Sequence, residues 1–550
     1  MGIFNKTGYL ILLLSGCLAA VEFNSSNLPV IIIDTQGQTI RDDVRIVANM
    51  GIIYNGAGQR NNLTDPYNDY NGKISIEIRG SSSQMFPKKQ YALETQDDLG
   101  ENLNVSLIGL PPENDWILYA PYSDKSLMRN VLAYQLSWDL GRYASRTRFC
   151  ELVLNGDYVG IYVLMEKIKR DNNRVNISTL NPDEISGDDL TGGYIVKIDK
   201  WAGETMGGWI SPFLPYPGSR SSILYQYHYP KADEIVPEQA EYIESTITEF
   251  ESIMYGDNYN DPSSGYTNYI DDNSFIDFFI LNEISKNVDG YRLSTFFYKD
   301  KESVDNLIYI GPIWDFNLAF GNANYYDGGN TDGWQVEINT NSSFINDGFK
   351  VPFWWDKLMA DPKFVNDLQC RWQNVRQKKF SVDRLLSYID SVANVLDEAQ
   401  ARNFERWPIL DQYIWPNRVW LGTYPKEVTY LKGWLEARML WIDENLAGEC
   451  LSSLTGHQSV FPGQFSLHQN YPNPFNPVTV ISWQLAVGSY VNLSIFNLRG
   501  QKVVTLLSES QPAGYHQIQW DASGLASGIY LYRFVTDQGF SQTRKLVLIK

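Results

Sequence analysis

A segment of small, mostly polar residues near position 455 separates two parts of this chain that differ in pattern and in charge. From Gln464 to the C-terminus the net charge is +3, whereas the whole chain carries −19, so the preceding part carries −22. A polar, patternless stretch between two such parts is typical of a linker. The sequence therefore predicts one large domain at 25–448, a linker at 449–463 and a small domain at 464–550.

Short segments in the C-terminal part alternate between apolar and polar residues, and most are separated by turns that contain glycine. They are Val478–Leu485, Tyr490–Asn497, Lys502–Leu507, His516–Trp520, Ile529–Phe534 and Lys545–Ile549. Alternation with period two indicates half-buried strands, and closely spaced short strands are typical of a sandwich. Residues 464–550 are therefore predicted to form an all-β, Ig-like sandwich.

The first twenty residues are typical of an export signal, which is removed from the mature protein. Lys6 precedes the apolar run Tyr9–Val21, which is too short to cross a bilayer as a helix. Two cleavage routes stay open. A four-residue match to a bacterial lipobox would make Cys17 the lipidated first residue, and an ordinary signal peptidase would cut after the alanine at 19 or 20.

Composition argues against several classes of function. A net charge of −19 opposes general affinity for nucleic acid, which needs a basic surface. The four histidines, at 228, 457, 468 and 516, are too few and too late in the chain for a His-rich zinc site or a Ser-His-Asp hydrolase. Hydrophobic residues make up 43%, enough for a large core, and the 14% of aromatics fits such a core or a sugar-binding surface.

The cysteines beyond the export signal do not form a recognisable framework. Cys150, Cys370 and Cys450 are widely spaced and odd in number. The pattern favours buried apolar thiols, with one pair still able to bridge in an oxidising compartment.

The large domain begins with strand-like segments around a turn that contains glycine and serine. Leu28–Asp34 is apolar, and Lys73–Arg79 alternates with period two before the turn. Arg79, Ser81, Lys88 and Lys89 then bring positive charge, hydroxyl and backbone N–H groups together, ahead of a returning strand. Such a combination can bind phosphate oxygens, although most turns of this composition are merely turns.

Two carboxylates at the ends of apolar segments are the best chemical candidates. Asp289 follows the helix-like run Phe275–Ile284, and Asp315 ends a strand 26 residues later, with strand Thr295–Tyr298 between them. The plain alternative for each is a cap or a turn. The order nevertheless matches phosphoryl transfer, in which one Asp orients the acceptor hydroxyl and a second holds Mg²⁺.

Two further patterns complete the large domain. Cys150–Lys167 indicates a β-hairpin with a turn at Asn155 and Glu166 near its end. Residues 353–445 show helical spacing, and their tryptophans are predicted to lie in the core rather than on a sugar-binding surface.

Residues 28–445 resemble the CotH kinase family of atypical protein kinases. The matching pieces, in order, are Arg79–Ser83 with Pro87–Lys89, Leu127–Asn130, Leu154–Gly156 through Glu166, Asn287–Asp289 and Trp314–Gly321. The resemblance implies an α+β, protein-kinase-like domain with a β-rich N-terminal part and a helical C-terminal part.

The resemblance also implies roles for individual residues. Asp289 takes the catalytic role and Asp315 the metal-binding role. The phosphate-binding and ATP-binding residues would be Arg79, Ser81, Lys88, Lys89 and Glu166. Leu293 and Ser294 stand where many members have an asparagine, so Ser294 or Asn317 would serve as the second metal ligand.

The C-terminal domain resembles the sorting domain of type IX secretion substrates. The matching pieces are Gln469–Pro477, Ala513–Gly514, Asp521–Tyr530 and Lys545–Lys550. The resemblance implies an address read by the type IX secretion machinery, export from a Gram-negative-type cell, and secretion or attachment to the outer-membrane surface through an anchor.

Together these patterns predict an exported protein kinase that uses ATP and Mg²⁺ (or Mn²⁺) to phosphorylate Ser or Thr of an unknown surface or secreted protein. Two alternatives stay open. Paired carboxylates and many tryptophans also fit a secreted glycoside hydrolase. A kinase-like scaffold without activity is the third hypothesis, because ATP is scarce outside the cytoplasm.

Overall fold

A computed structural model describes residues 21–200, 207–450, 465–467, 469–470, 473–485, 487–511 and 514–549. The chain divides into two compact units, Met1–Cys450 and Leu451–Lys550. The predicted export signal with Cys17, and the predicted linker from residue 451 on, lie outside the described residues. Within the described ranges, no helix is long and apolar enough to cross a membrane.

The first unit begins with a closed barrel of seven strands, in the order β2-β3-β5-β6-β7-β9-β8. The strands of this region are β1 (Ser25–Ser26), β2 (Val30–Asp34), β3 (Ile46–Ile53), β4 (Asn61–Asn62), β5 (Tyr70–Arg79), β6 (Gln90–Gln96), β7 (Asp115–Tyr119), β8 (Thr147–Leu154) and β9 (Asp157–Glu166). Apolar side chains from all seven barrel strands share one core. The barrel closes through the parallel pairing of β2 with β8.

The predicted hairpin is confirmed as β8 and β9. Its turn needs positive φ at two positions, and Asn155 (φ 52°) and Gly156 (φ 81°) are residues that tolerate that conformation. The hairpin thereby contributes two adjacent barrel strands, and Glu166 is the last residue of β9.

A five-stranded antiparallel sheet follows, in the order β11-β12-β10-β13-β14. Its strands are β10 (Tyr194–Ile198), β11 (Gly208–Ile210), β12 (Leu224–Tyr229), β13 (Thr295–Lys299) and β14 (Ile308–Ile310). The β13–β14 hairpin contains the predicted strand Thr295–Tyr298 and lies between the two candidate carboxylates. It therefore places Asp289 before β13 and Asp315 after β14, on flanking loops of one sheet.

In the described part of the chain, eight α-helices accompany this sheet, and seven of them contribute side chains to the largest core of the unit. They are α1 (Arg129–Asp139), α2 (Gly187–Leu190), α3 (Pro237–Tyr255), α4 (Asp272–Ser285), α5 (Trp354–Ala360), α6 (Pro362–Arg376), α7 (Val382–Arg406) and α8 (Tyr424–Asn445). Helix α4 is almost wholly buried, as its sequence predicted, and its buried carboxylates Asp277 and Glu283 are paired with arginines. Trp354, Trp355, Trp372 and Trp434 lie in the core, as predicted, but the prediction is wrong for Trp415 and Trp420, whose side chains are exposed.

The β-rich and helical parts of the predicted α+β domain are both present. The β-rich part is a closed barrel. Local patterning could not predict closure, because it depends on Val30 pairing with Glu151, more than a hundred residues along the chain.

The default prediction for the cysteines is wrong for two of them. Cys370 in α6 is disulfide-bonded to Cys450, 80 residues further on, while Cys150 is a buried free thiol in the barrel. The bond ties the end of the first unit to its helical part.

Removal of this disulfide by the double substitution Cys370→Ser and Cys450→Ser is expected to destabilise the first unit by about 2–4 kcal/mol. The unfolded chain would regain the freedom that closure of a loop of this length removes. Thermal unfolding with and without a reductant measures the effect. The variant should unfold at the midpoint of the reduced wild type and show no further response to reductant; a wild type indifferent to reductant contradicts the expectation.

The second unit consists of a three-stranded sheet, β15-β16-β19, and a four-stranded sheet, β18-β17-β20-β21. The strands are β15 (Ser466–Leu467), β16 (Val478–Leu485), β17 (Ser489–Asn497), β18 (Lys502–Gln511), β19 (Gly514–Asp521), β20 (Gly528–Thr536) and β21 (Ser541–Leu548). Trp483 of one sheet packs on Phe534 of the other. The predicted all-β character is confirmed, and all six predicted strands are present.

Candidate functional site

One cleft in the first unit brings most of the predicted site residues together. It has a volume of about 460 Å³ and is bounded by β5, β6, β7 and β9 of the barrel, by α1, and by the loops around Asp289 and Asp315. We call it the central cleft. The predicted site residues that line it are Arg79, Ser81, Asp289, Ser294, Asp315 and Asn317.

The cleft is lined by Arg79, the last residue of β5, and by three serines of the turn that follows it. Gly80 has φ 100°, and a Cβ there would lie 2.1 Å from Ser83 Oγ, so the tight turn requires glycine. The Arg79 guanidinium carbon lies 5.9 Å from the centroid of the Trp314 ring, and Arg79 Nη1 donates a hydrogen bond to Gln90 Oε1 at 3.4 Å. The turn therefore offers one guanidinium and several hydroxyls on one wall of the cleft.

Asp289 lies just after α4, on a loop that an ion pair holds in place. The helix ends at Lys286, which adopts the left-handed conformation (φ 44°) and turns the chain towards the cleft. Arg292 Nη2 then donates to Asp289 Oδ1 at 3.0 Å, and Arg292 Nη1 lies 3.4 Å from Asp347 Oδ2. The Arg292 side chain is almost fully buried, so it fixes the orientation of the Asp289 carboxylate.

Asp315 lies after β14 in a strained conformation, with φ 63°. Helix α1 holds this backbone: Phe316 N donates to Asn130 Oδ1 at 2.7 Å, and Asp315 N donates to Tyr134 Oη at 3.4 Å. A non-glycine residue held in the left-handed region costs energy and is concentrated at functional sites. The strain positions the Asp315 carboxylate in the cleft, to which it is exposed.

The two carboxylates interact electrostatically. Asp315 is accessible within the cleft, but the protein atoms packed around it limit its hydration and raise its pKa to about 6; the charge of Asp289 acts in the same direction, and Arg79 opposes both. Loss of solvent also raises the pKa of Asp289, with Arg292 opposing. The negative charges of Asp289 and Asp315 disfavour each other, so a cation bound between or beside them would be stabilised.

The residues around Asp315 fit a divalent metal of the magnesium type. Mg²⁺ is usually held by one or two carboxylates and by substrate phosphates and water, not by a cage of protein ligands. Asp315 supplies a carboxylate, Asn317 an amide oxygen and Ser294 a hydroxyl in the same cleft. Across the described residues there is no group of three or more His, Cys, Asp or Glu that could hold a metal.

Lys88 and Lys89 are not among the residues that line the central cleft. Lys88 is 2% exposed and donates to Ile161 O at 2.6 Å and to Asn403 Oδ1 at 2.8 Å, and burial lowers its pKa to about 7. Lys89 Nζ donates to Gln84 O at 2.6 Å and thus supports the turn from behind. Neither ammonium is placed to contact a phosphate in the cleft.

Glu166 is also absent from the cleft wall. It is fully buried, and its carboxylate lies 3.0 Å from Arg146 Nη1 and 3.2 Å from Arg174 Nη2. A buried carboxylate with two arginines is fully paired. In this structure Glu166 joins the end of the barrel to the segment after it and is not free for a ligand.

The cleft contains residues that sequence reasoning missed. Lys197, Asp199 and Lys200, at the end of β10, line it, as does His228 of β12. Lys200 lowers the pKa of both Asp289 and Asp315 through its charge. The sequence signal for these residues is an apolar strand followed by the charged pair Asp199 and Lys200. A charged residue after an apolar strand is also what identified Asp315.

Comparison with known proteins gives two matches to protein families. A family model described as CotH kinase protein matches residues 76–442, about two thirds of the chain. A model described as secretion system C-terminal sorting domain matches residues 469–550. No curated protein matches the chain.

Among solved structures, one similarity is to the Pseudomonas fluorescens alkylpurine DNA glycosylase AlkC bound to DNA containing an abasic site analog. The sequences are 11% identical, the match covers 39% of this chain and 64% of that chain, and the TM-score is 0.13. A likeness this weak carries no argument.

The sorting domain confirms the prediction of export: the protein is secreted or attached to the cell surface. The match to the first family covers more than half of the chain and includes every residue of the predicted site. The chain belongs to the CotH kinase protein family.

Proposed function

We propose that this protein is an exported, metal-dependent protein kinase that transfers the γ-phosphate of ATP to a Ser or Thr hydroxyl of a surface or secreted protein. The observation that carries the proposal is the meeting of Asp289, Asp315 and Arg79 in one cleft of about 460 Å³. Phosphoryl transfer needs an acceptor-orienting carboxylate, a metal-binding carboxylate and cations around the phosphates. The presence of Asp289, Asp315 and Arg79 in the cleft supports such a mechanism.

In this proposal Asp289 accepts the proton of the acceptor hydroxyl as its oxygen attacks the γ-phosphorus and ADP leaves. Arg292 keeps the Asp289 carboxylate oriented for that step. Arg79 and the hydroxyl of Ser81 contact phosphate oxygens from the barrel side. A bound Mg²⁺ or Mn²⁺ would offset the phosphate charge, with Asp315, Asn317 and Ser294 as its protein ligands.

Lys200 takes the phosphate-binding role that the sequence analysis gave to Lys88 or Lys89. It lines the cleft, its charge acts on both Asp289 and Asp315, and no hydrogen bond of its ammonium group occurs among the described residues. A partly buried lysine of this kind is available to an anionic ligand.

Lys200→Met is expected to weaken ATP binding about tenfold, because one charge-assisted contact to phosphate is lost. Lys88→Met is the matched control, since it removes the same charge from a residue outside the cleft. We expect Lys88→Met to lower the unfolding temperature and leave the Kd for ATP within about twofold. Titration calorimetry with Mg²⁺ measures the Kd of each variant for ATP. Weaker ATP binding by Lys88→Met and unchanged binding by Lys200→Met would return the phosphate role to Lys88.

The test of the proposed function is a thermal shift of the full chain with nucleotides and with sugars. A kinase should be stabilised by ATP only when Mg²⁺ or Mn²⁺ is present, because metal and phosphates complete one site. A glycoside hydrolase would respond to oligosaccharides instead. A scaffold without a nucleotide site would respond to neither ligand.

The sorting domain supports a proposal about partners. Residues 464–550 would be read by the type IX secretion machinery, and an anchor would then hold the protein at the outer-membrane surface. Removal of these residues should leave the protein inside the cell while the first unit still binds ATP.

A further inference from the structure

The central cleft has an apolar wall that the roles given above do not use. Ala92 of β6 pairs with Ile117 of β7, and Ile117 pairs with Met165 of β9. The three residues are therefore cross-strand neighbours on one face of the barrel, and all three line the cleft. Ala92 is 7% exposed, and Ile117 and Met165 are each 1% exposed, so the row gives the cleft an apolar boundary that a planar ring can meet chiefly at Ala92.

His228 also lines this cleft, and its ring is fixed in place. Its Nε2 lies 2.9 Å from Ile168 O, and its ring meets Phe296 edge-on, with centroids 5.1 Å apart. A carbonyl oxygen only accepts hydrogen bonds, so Nε2 must carry the proton. In the neutral ring Nδ1 is then an acceptor, and it has no hydrogen-bond partner in the described part of the chain.

The surroundings keep this ring neutral. Loss of solvent lowers the pKa of His228 to about 4, and the positive charges of Lys197 and Lys167 act in the same direction. Both lysines line the cleft as well. Near neutral pH the cleft therefore contains an oriented acceptor, Nδ1, beside cations that are donors only.

We propose that His228 selects adenine as the base of the nucleotide, accepting a hydrogen bond at Nδ1 from the exocyclic 6-amino group while the ring meets the apolar boundary of the cleft at Ala92. This inference rests on the proposed function. A 6-oxo base would place its own acceptor against Nδ1, and a base without a 6-substituent would leave Nδ1 unpaired. A site that hydrogen-bonds one substituent rejects analogues that lack it.

The experiment measures binding of three nucleotides to the full chain with Mg²⁺: ATP, purine riboside triphosphate, which lacks the 6-amino group, and ITP, which has a 6-oxo group. The wild type should bind ATP about five- to tenfold more tightly than purine riboside triphosphate, as expected for one hydrogen bond. ITP should bind more weakly than either.

His228→Phe keeps a ring against Phe296 and removes the acceptor, so it should bind ATP and purine riboside triphosphate equally. His228→Gln retains an acceptor oxygen and should keep part of the preference. Equal binding of the two purines by the wild type would overturn the inference and leave the proposed function intact, even if neither variant folds. Preference retained in full by His228→Phe would also overturn it. Failure of all three nucleotides to bind would overturn both proposals.

Discussion

Asp315→Asn is expected to lower metal-dependent phosphoryl transfer by about a thousandfold or more, with the fold unchanged. The substitution removes the carboxylate that would bind the metal and keeps a side chain of the same shape. Asn is the suitable replacement because Asp315 has φ 63°, a conformation that Asn tolerates better than other residues with a side chain. Initial rates at several Mg²⁺ concentrations measure the effect.

Asp315→Ala is the matched comparison for that experiment. It removes the same charge but places Ala in the left-handed conformation, so it should also lower the unfolding temperature. Equal loss of transfer in both variants, with a stability loss only in the Ala variant, would separate metal binding from folding. Full transfer by Asp315→Asn would rule out the metal-binding role of this residue.

Asp289→Asn is expected to lower kcat about a hundredfold to ten-thousandfold, the range for loss of a general base. The amide retains a hydrogen bond to Arg292 through its oxygen but cannot accept the proton of the acceptor hydroxyl. The Kd for ATP with Mg²⁺ should stay within about threefold, because in the proposed mechanism this residue contacts the acceptor hydroxyl and not the nucleotide. Pre-steady-state rates measure the effect on phosphoryl transfer, and nucleotide titrations measure the effect on the Kd for ATP.

Asp347→Asn is the control for Asp289→Asn, because it removes the other ion-pair partner of Arg292 without changing the base. A loss of kcat far smaller than that of Asp289→Asn is expected. Equal losses in the two variants would mean that the ion pairs, and not proton acceptance, explain the effect.

The two carboxylates could be predicted from sequence because each follows an apolar element that determines its surroundings. A polar residue a few positions after a buried helix or strand lies at the rim of a core, and the β13–β14 hairpin between the two brings those rims together. The structure places Asp289 and Asp315 in one cleft. That part of the prediction depended only on local pattern and on one short connection.

Lys88 shows where local pattern stops being sufficient. It was interpreted as a phosphate contact because it lies near a turn with glycine and serines. Its ammonium instead contacts Asn403 of α7, which comes 315 residues later. The disulfide between Cys370 and Cys450 could not be inferred for the same reason, since only the packing of α6 against the end of the unit brings the two sulfurs together.

Lys200 and His228 were missed because their roles depend on the five-stranded sheet. Each lies on or beside a strand whose neighbours come from distant parts of the chain, and β10 pairs with both β12 and β13. The sequence shows that β10 ends in a charged pair, but not that this end faces the barrel. Only the assembled cleft relates His228 to the apolar row on β6, β7 and β9.

The most direct test of the central claim is transfer of label from ATP to protein. Purified full-length protein is incubated with Mg²⁺ and with cell-surface proteins from cells that lack it, using ATP labelled in either the γ- or the α-phosphate. The account predicts label on Ser or Thr from γ-labelled ATP only, and none with Asp289→Asn or Asp315→Asn. Label from the α-phosphate, or γ-label that persists undiminished in both variants, would contradict it.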